Sequence, residues 1–148
     1  MAQQGGCIFC RIARGEIPTN KVYEDQDVIA FLDINPASVG HTLVVSKEHF
    51  DDFTKAPKDV VSHVFQVAQL IAQACLVELK ADGVNVITNI GKAAGQSIGH
   101  FHVHVIPRYA NDRIGIPFGK TLSLPSDQFP QLADSIRKGL PAPKLEGK

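Results

Sequence analysis

The chain has 148 residues, 44% of them hydrophobic, and its 15 basic side chains balance 15 acidic ones. This length suits one domain with an ordinary core, and the balanced charge disfavours nucleic acid as a partner, because neutralising a phosphate backbone needs an excess of Lys and Arg. Neither a leader peptide nor a membrane-spanning run is predicted, and three cysteines are too few for a disulfide framework, so we expect a cytoplasmic protein without a membrane partner.

Short β-strands are predicted in the first third of the chain. Residues 21–23 and 28–32 are β-prone and are separated by four polar residues, which predicts a hairpin. Turn-forming residues between Asn35 and Gly40 precede a third predicted strand at about 41–46. The segment therefore predicts three strands that follow one another directly.

The main helix is predicted over residues 57–80. Proline suits its first turn, apolar residues recur at helical spacing, and the Asp-Gly pair at 82–83 ends the pattern. Its apolar face is wider than one stripe, so the helix either covers a sheet and meets a second subunit or is buried within its own domain. We expect Cys75 to pack in the core and His63 to lie on the surface.

Two further strands and a short helix complete the predicted elements. The strands span residues 84–89 and 100–106 and are joined by a glycine-rich loop at 91–99. The short helix spans about 126–138 and ends at a glycine. Nothing in this order resembles repeated βαβ units, so a doubly wound dinucleotide fold is disfavoured.

The order of these elements predicts an α+β fold. Strands in sequence around one long helix favour a mainly antiparallel, meander-like sheet. We expect a single domain over residues 1–148, with its core at about 7–110 and a C-terminal extension at about 111–148. The tail at 141–148 is expected to be loose.

Residues 100–106 read HFHVHVI, so polar and apolar residues alternate with a period of two. In a β-strand the imidazoles of His100, His102 and His104 would share one face, about 7 Å apart, while the apolar residues enter the core. An imidazole titrates near neutral pH and can act as a nucleophile or a proton carrier. The alternatives are an amphipathic strand whose outer face is histidine, or a metal-binding strand.

The loop before this strand carries Gly95, Gln96 and Ser97. Its backbone, amide and hydroxyl groups are neutral donors that can approach phosphate oxygens closely, and Asn89 across the loop could add another. By itself such a turn would be a plain connection. Beside three histidines it indicates a phosphate-binding site.

The complete pattern resembles the HφHφHφφ signature of the histidine triad superfamily of nucleotide hydrolases and transferases, where φ is an apolar residue. The resemblance covers nearly the whole chain, from CIFC at 7–10 through FLDINP at 31–36 and GHTLVV at 40–45 to Pro107. It is closest to the Hint branch and its prokaryotic relatives, and it fades after Arg108. It implies the fold of that superfamily.

The resemblance also implies catalytic roles. His102 would be the nucleophile that forms a covalent nucleotidyl-imidazole intermediate, and the backbone of His100 would hold its other ring nitrogen. His104 would lie near the scissile phosphate, with His41 beside it. Ser97, together with the preceding glutamine, would contact the phosphate and help to protonate the leaving group.

The same resemblance implies where the nucleotide binds. Asp33 would accept hydrogen bonds from the ribose hydroxyls, and an apolar slot would hold a purine base. Considered without the family, residues 33–36 would be a turn and the apolar residues would be core. The predicted nucleotide-binding set is Ile8, Phe9, Ile12, Phe31, Asp33, Ile34, Asn89, Gly95, Gln96, Ser97, His102 and His104.

A zinc site is the one cofactor that the resemblance implies. Several prokaryotic members carry zinc at the positions of Cys7, Cys10, His49 and His100, and two thiolates with two imidazoles suit a tetrahedral ion. The Zn²⁺ would be structural, and no organic cofactor is expected. The alternative is a pair of reduced, metal-free thiols.

Hydrolysis at the α-phosphorus of purine nucleoside phosphoramidates or adenylylated amines, releasing a monophosphate such as AMP, is the implied function. The alternatives are a dinucleoside polyphosphate hydrolase of the diadenosine tetraphosphate type, which the Pro-Arg pair at 107–108 also resembles, and a nucleotide-binding scaffold with incidental catalysis. The chain has no tryptophan, whereas the Hint branch commonly ends with one near the partner's active site. A homodimer is implied by similarity.

Overall fold

A computed structural model describes residues 6–115 and 122–141. Most of the predicted tail, residues 142–148, lies outside the described residues. In chain order the described elements are α1 (Ile8–Ala13), β1 (Lys21–Glu24), β2 (Val28–Leu32), β3 (Thr42–Ser46), α2 (Lys58–Glu78), β4 (Gly83–Ile87), a short 3-10 turn (Lys92–Ala94), β5 (His102–Arg108) and α3 (Gln128–Lys138).

The described strands form one sheet in the order β1-β2-β3-β5-β4, and every neighbouring pair is antiparallel. This confirms the predicted α+β class. The first three strands form the expected meander. The last two do not continue it, because the chain crosses from β3 through α2 to the far edge, forms β4 there and returns to place β5 beside β3.

Two apolar clusters cover the two faces of the sheet. On one face α2 packs against β5, and Phe101 and Val103 there are almost fully buried. On the other face α1 contributes Phe9 and Ile12 to a smaller cluster with residues of β2 and β3. Because successive side chains of a strand alternate between faces, the apolar residues of β5 point to α2 and its histidines point to the α1 side.

Two strand boundaries differ from the sequence prediction, and one helix was not predicted. Strand β5 begins at His102 rather than at residue 100, because the backbone N–H of Phe101 donates to Phe50 O and that of His100 to Ile98 O. Strand β4 ends at Ile87, not at residue 89. The sequence did not predict α1, because six residues are too few to show helical periodicity.

Helix α2 is apolar over a greater length than the sequence analysis expected. Among the described residues it is the helix that is long and apolar enough to cross a bilayer by length and composition. Its buried side chains, among them Val64, Val67 and Cys75, pack on the sheet, as in the core helix of a globular domain. Leu70 and Val77 on its other side stay more than half exposed.

The chain divides into two compact units, residues 1–114 and 115–148. The first unit contains the sheet, α1 and α2. In the second unit α3 begins at Gln128, two residues later than predicted, and buries none of its side chains.

His63 is not the plain surface residue that we expected. Its Nε2 lies 2.7 Å from Asp25 Oδ2, which also accepts a hydrogen bond of 2.6 Å from the hydroxyl of Tyr23. The other carboxylate oxygen of Asp25 accepts the backbone N–H groups of Asp27 and Val28. Burial disfavours the charged carboxylate, but these hydrogen bonds outweigh burial and lower the pKa of Asp25 to about 2. The β1–β2 turn is thus anchored to α2.

The lowered pKa of Asp25 predicts a pH-dependent contribution to stability. The ionised carboxylate stabilises the fold above about pH 4, and the contribution is lost as pH falls through about 2. Asp25→Asn should therefore lower the free energy of unfolding by about 2 kcal/mol at pH 7. In urea titrations from pH 7 to pH 2, the gap to wild type should stay constant down to about pH 5 and close below about pH 4. Asp27→Asn, in the same turn but largely exposed, is the matched control, and a gap independent of pH would contradict this account.

Candidate active site and metal centre

A cavity of about 420 Å³ opens beside α1, on the face of the sheet that carries the β5 histidines. Its volume is in the range of small-molecule sites. The buried rings of Phe9 and Phe31 line it, while Ile8 and Ile34, 44% and 82% exposed, lie at its rim. From the predicted set it brings together Ile8, Phe9, Ile12, Phe31, Asp33, Ile34, Ser97, His102 and His104.

Several lining residues were missed by the sequence analysis. Ile17, Pro18 and Thr19 belong to the connection between α1 and β1, and Leu43 and Ile98 complete the apolar part of the wall. A connection without periodicity gives no pattern from which such residues could be found. They are placed here because α1, itself unpredicted, folds that segment over the sheet.

Three residues of the predicted nucleotide-binding set lie outside the cavity lining. Asn89 and Gly95 are neighbours, since a Cβ atom on this glycine would lie 3.8 Å from Asn89 Nδ2, and its φ of +95° favours glycine. The side-chain amide of Gln96 is hydrogen-bonded to backbone groups of Gly91, Ile98 and Asp51. The loop therefore presents Ser97 to the cavity and turns the side chain of Gln96 towards backbone groups of the loop and of Asp51.

The hydrogen bond of His102 fixes its tautomer. Its Nδ1 lies 2.7 Å from His100 O, and because a carbonyl only accepts, Nδ1 carries the proton and Nε2 keeps its lone pair. Burial lowers the pKa of His102, which favours the neutral imidazole. The ring of Phe9 packs edge-on against it, with ring centres 5.0 Å apart. A neutral imidazole held in this tautomer can act as a nucleophile through Nε2.

The backbone N–H of Ala37 determines which ring nitrogens of His41 and His104 carry protons. The N–H of Ala37 donates to His41 Nδ1 at 2.9 Å, so the neutral ring carries its proton on Nε2. That Nε2 lies 2.9 Å from His104 Nδ1 and donates to it. His104 in turn carries its proton on Nε2 and can donate to a phosphate oxygen. Burial, followed by the neighbouring His102 and His41, lowers the pKa of His104 to about 4.

Asp33 supplies the carboxylate of the cavity. Its Oδ1 accepts the backbone N–H of Asn35 at 2.9 Å, and its Oδ2 lies 3.7 Å from His41 Nε2. The residue follows β2 and lies in the cavity lining. Its second oxygen can accept hydrogen bonds from a diol.

Cys7, Cys10, His49 and His100 converge on one point beside the cavity. One ligand atom from each lies within 4.8 Å of all the others. Among these atoms His49 Nδ1 and His100 Nδ1 are 3.1 Å apart. Cys7 Sγ lies 3.2 Å from His100 Nδ1, and Cys10 Sγ lies 3.4 Å and 3.6 Å from Nδ1 of His49 and His100. A tetrahedral ion with Zn–N about 2.0 Å and Zn–S about 2.3 Å places its ligand atoms about 3.3 to 3.8 Å apart.

The outer hydrogen bonds of the two imidazoles suit a metal. His100 Nε2 donates to Ser46 O at 2.7 Å, and His49 Nε2 donates to Asp51 Oδ1 at 3.1 Å, so each Nδ1 presents a lone pair to the cluster. Burial lowers the pKa of His100 to about 4 and keeps it neutral. Two lone pairs facing each other repel unless a cation or a thiol proton lies between them.

Asp33, His41 and His104 also place ligand atoms within 4.8 Å of one another. Their protonation fits a metal poorly, because Ala37 holds the lone pair of His41 Nδ1 and leaves the proton on the Nε2 that would bind the ion. The structure thus contains a Cys/His set suited to a metal and, next to it, a histidine relay suited to protons.

Comparisons with known proteins agree with this architecture. The model of the HIT domain matches residues 14–111. A protein of Streptococcus mutans with a crystal structure is 42% identical, has a TM-score of 0.86 and covers 93% of this chain and 87% of its own. A zinc-bound histidine triad family protein of Mycobacterium smegmatis is 42% identical, with a TM-score of 0.72 and coverage of 75% of this chain and 81% of its own. Adenylylsulfatase HINT3 of Arabidopsis thaliana is 41% identical over 109 residues, 74% of this chain and 55% of that protein.

Proposed function

The chain belongs to the HIT domain family, and from this premise we propose that it hydrolyses purine nucleoside phosphoramidates or adenylylated amines at the α-phosphorus. One observation carries the proposal: His102, held by the carbonyl of His100, lines a nucleotide-sized cavity that also contains a carboxylate and an apolar slot. An imidazole of fixed tautomer beside such a cavity suits nucleophilic attack on phosphorus.

The proposed reaction has two displacements. In the first, His102 Nε2 forms a bond to the α-phosphorus, the bond to the leaving amine breaks, and the amine takes a proton. In the second, water attacks the same phosphorus and returns a proton to the group that protonated the amine, the P–N bond to His102 breaks, and a nucleoside monophosphate leaves with the imidazole restored. His104 Nε2–H and the hydroxyl of Ser97 supply hydrogen bonds to the phosphoryl oxygens and a proton to the leaving group.

The nucleoside end of the substrate is proposed to occupy the apolar part of the cavity. A purine would lie among Phe9, Phe31 and the rim residues, and Oδ2 of Asp33 would accept from the ribose hydroxyls. The adenylylsulfatase relative supports an adenylyl group as the part that is retained.

The contacts of Arg108 weaken the support for the dinucleoside polyphosphate alternative. Its guanidinium donates to Asp112, Asn85 and Ile114 O, at 2.8 to 2.9 Å. Because these contacts hold the end of β5 to the following turn, the guanidinium of Arg108 has a structural role. The Pro-Arg pair therefore gives little support to a polyphosphate site.

A comparison of two substrates tests the function. We expect kcat/KM to be higher for an adenosine phosphoramidate than for diadenosine tetraphosphate. The reverse order would replace the proposal by the polyphosphate hydrolase. Slow turnover of both, together with tight binding to another protein, would favour the scaffold.

We further propose that Cys7, Cys10, His49 and His100 bind a structural Zn²⁺. The donor set and the two outer hydrogen bonds support it, and so does the zinc-bound relative. When bound, the ion would cross-link α1 to the segments that carry the two histidines.

We propose that the chain forms a homodimer, which buries the apolar side of α2 that the sheet leaves uncovered. Leu70, Leu76 and Val77 are 46 to 68% exposed there. Light scattering should give about twice the 16.0 kDa chain mass, and a monomer alone would contradict this.

A further inference from the structure

The side chain of Gln96 is fully engaged by the protein itself. Its Oε1 accepts the backbone N–H of Gly91 at 2.8 Å, and its Nε2 donates to Asp51 O at 2.8 Å and to Ile98 O at 3.0 Å. An amide has two N–H donors. Both are used here, so neither is available to a substrate while the loop keeps this conformation.

These bonds close the loop that presents Ser97. The backbone N–H of Gln96 also donates to Gly91 O at 3.1 Å, so residues 91 and 96 are joined through main chain and side chain alike. Gly91 and Gly95 have φ of +85° and +95°, and glycines lose more conformational freedom on ordering than other residues. Such a loop needs restraints of this kind if its N–H groups are to stay in place for a phosphate.

The bond to Asp51 joins the loop to a distant segment. Residue 51 lies 45 positions earlier in the chain, and its carboxylate accepts the Nε2–H of His49. Asp51 therefore contacts the loop through its carbonyl and the Cys/His set through its side chain. The loop is restrained against the part of the structure that surrounds the candidate metal centre.

We propose that Gln96 is a positioning residue that preorders loop 91–98 for the substrate phosphate, and that it does not protonate the leaving group. The inference rests on the proposed function and refines the role that the family resemblance implies for this residue. Its physical basis is that binding affinity falls when a ligand must order a loop that was free before.

Gln96→Ala tests the proposal, with Gln26→Ala in the exposed β1–β2 turn as the matched control. In the ligand-free protein, hydrogen exchange at the Gly91 amide should be protected in wild type and the control and should accelerate in Gln96→Ala. AMP binding, measured by calorimetry, should weaken about tenfold, the loss expected for one or two net hydrogen bonds. Gln96→Glu keeps the acceptor for Gly91 but lacks the donors, so it should retain part of the protection.

The basicity of the leaving amine distinguishes a positioning role of Gln96 from acid catalysis. A positioning residue should reduce kcat/KM by a similar factor for phosphoramidates of strongly and weakly basic amines. Unchanged exchange at Gly91, or full AMP affinity with a loss that grows with amine basicity, would overturn the proposal. Hydrogen exchange is measured without turnover. A protein inactive on every substrate would therefore contradict the proposed function, while exchange at Gly91 would still test the role of Gln96.

Discussion

Replacing His102 with alanine should reduce turnover of an adenosine phosphoramidate by at least about a thousandfold, because the variant has no nucleophile to form the covalent intermediate. AMP affinity should stay within about threefold of wild type, because the cavity walls, Asp33 and the loop remain. Steady-state kinetics and calorimetry on the same preparations measure both. A large loss in kcat with little change in AMP affinity is the signature of a group that acts on the reacting atoms.

His63→Ala is the control for this experiment. It also removes an imidazole, but from α2, where the ring contacts Asp25 rather than the cavity. Its kinetics should match wild type. Mass spectrometry after rapid quenching should find a nucleotidyl adduct on the peptide containing His102 in wild type. Full activity in His102→Ala, or an adduct on another residue, would require a different nucleophile.

The strand of histidines shows how far periodicity predicts a site. Alternation in residues 100–106 predicts that His102 and His104 share a face, because strands place every second side chain on the same side. It does not predict that His100 precedes the strand, because the start of β5 depends on the hydrogen bond from the backbone N–H of Phe101 to Phe50 O. Alternation describes regular structure, and the departure comes from a tertiary hydrogen bond.

The Cys/His set and the Gln96 contacts show a second limit. Cys7 and His100 are 93 residues apart, so their proximity followed from family resemblance and not from spacing. The partners of Gln96 are backbone groups, one of them at Asp51, and every residue carries such groups whatever its side chain. A single sequence therefore contains no pattern from which hydrogen bonds between a side chain and distant backbone groups could be predicted.

His100 connects the two halves of the site. Its side chain belongs to the Cys/His set, while its carbonyl holds Nδ1 of His102. A shift of this residue therefore changes both the geometry of the proposed zinc ligands and the orientation of His102, the proposed nucleophile. We therefore expect a displacement of His100 to weaken both metal binding and the positioning of His102.

Removal of the proposed zinc should cause a large loss of stability. Purified protein should contain about one zinc per chain by elemental analysis, and Cys10→Ser should lose it, because a hydroxyl is a much poorer zinc ligand than a thiolate. Urea titrations with and without a chelator should show a loss of about 4 kcal/mol on zinc removal, the linkage expected when free zinc exceeds its dissociation constant a thousandfold. The variant should be insensitive to the chelator.

Cys75→Ser separates loss of the ion from loss of a buried thiol. Cys75 is buried on α2, away from the four clustered residues, so its replacement should lower stability while zinc content and sensitivity to the chelator stay as in wild type. If Cys10→Ser keeps its zinc, or if wild type is equally stable with and without chelator, the four residues are a pair of thiols hydrogen-bonded to imidazoles. In that case the facing lone pairs of His49 and His100 are separated by thiol protons, and α1 is held by apolar packing together with these thiol–imidazole hydrogen bonds.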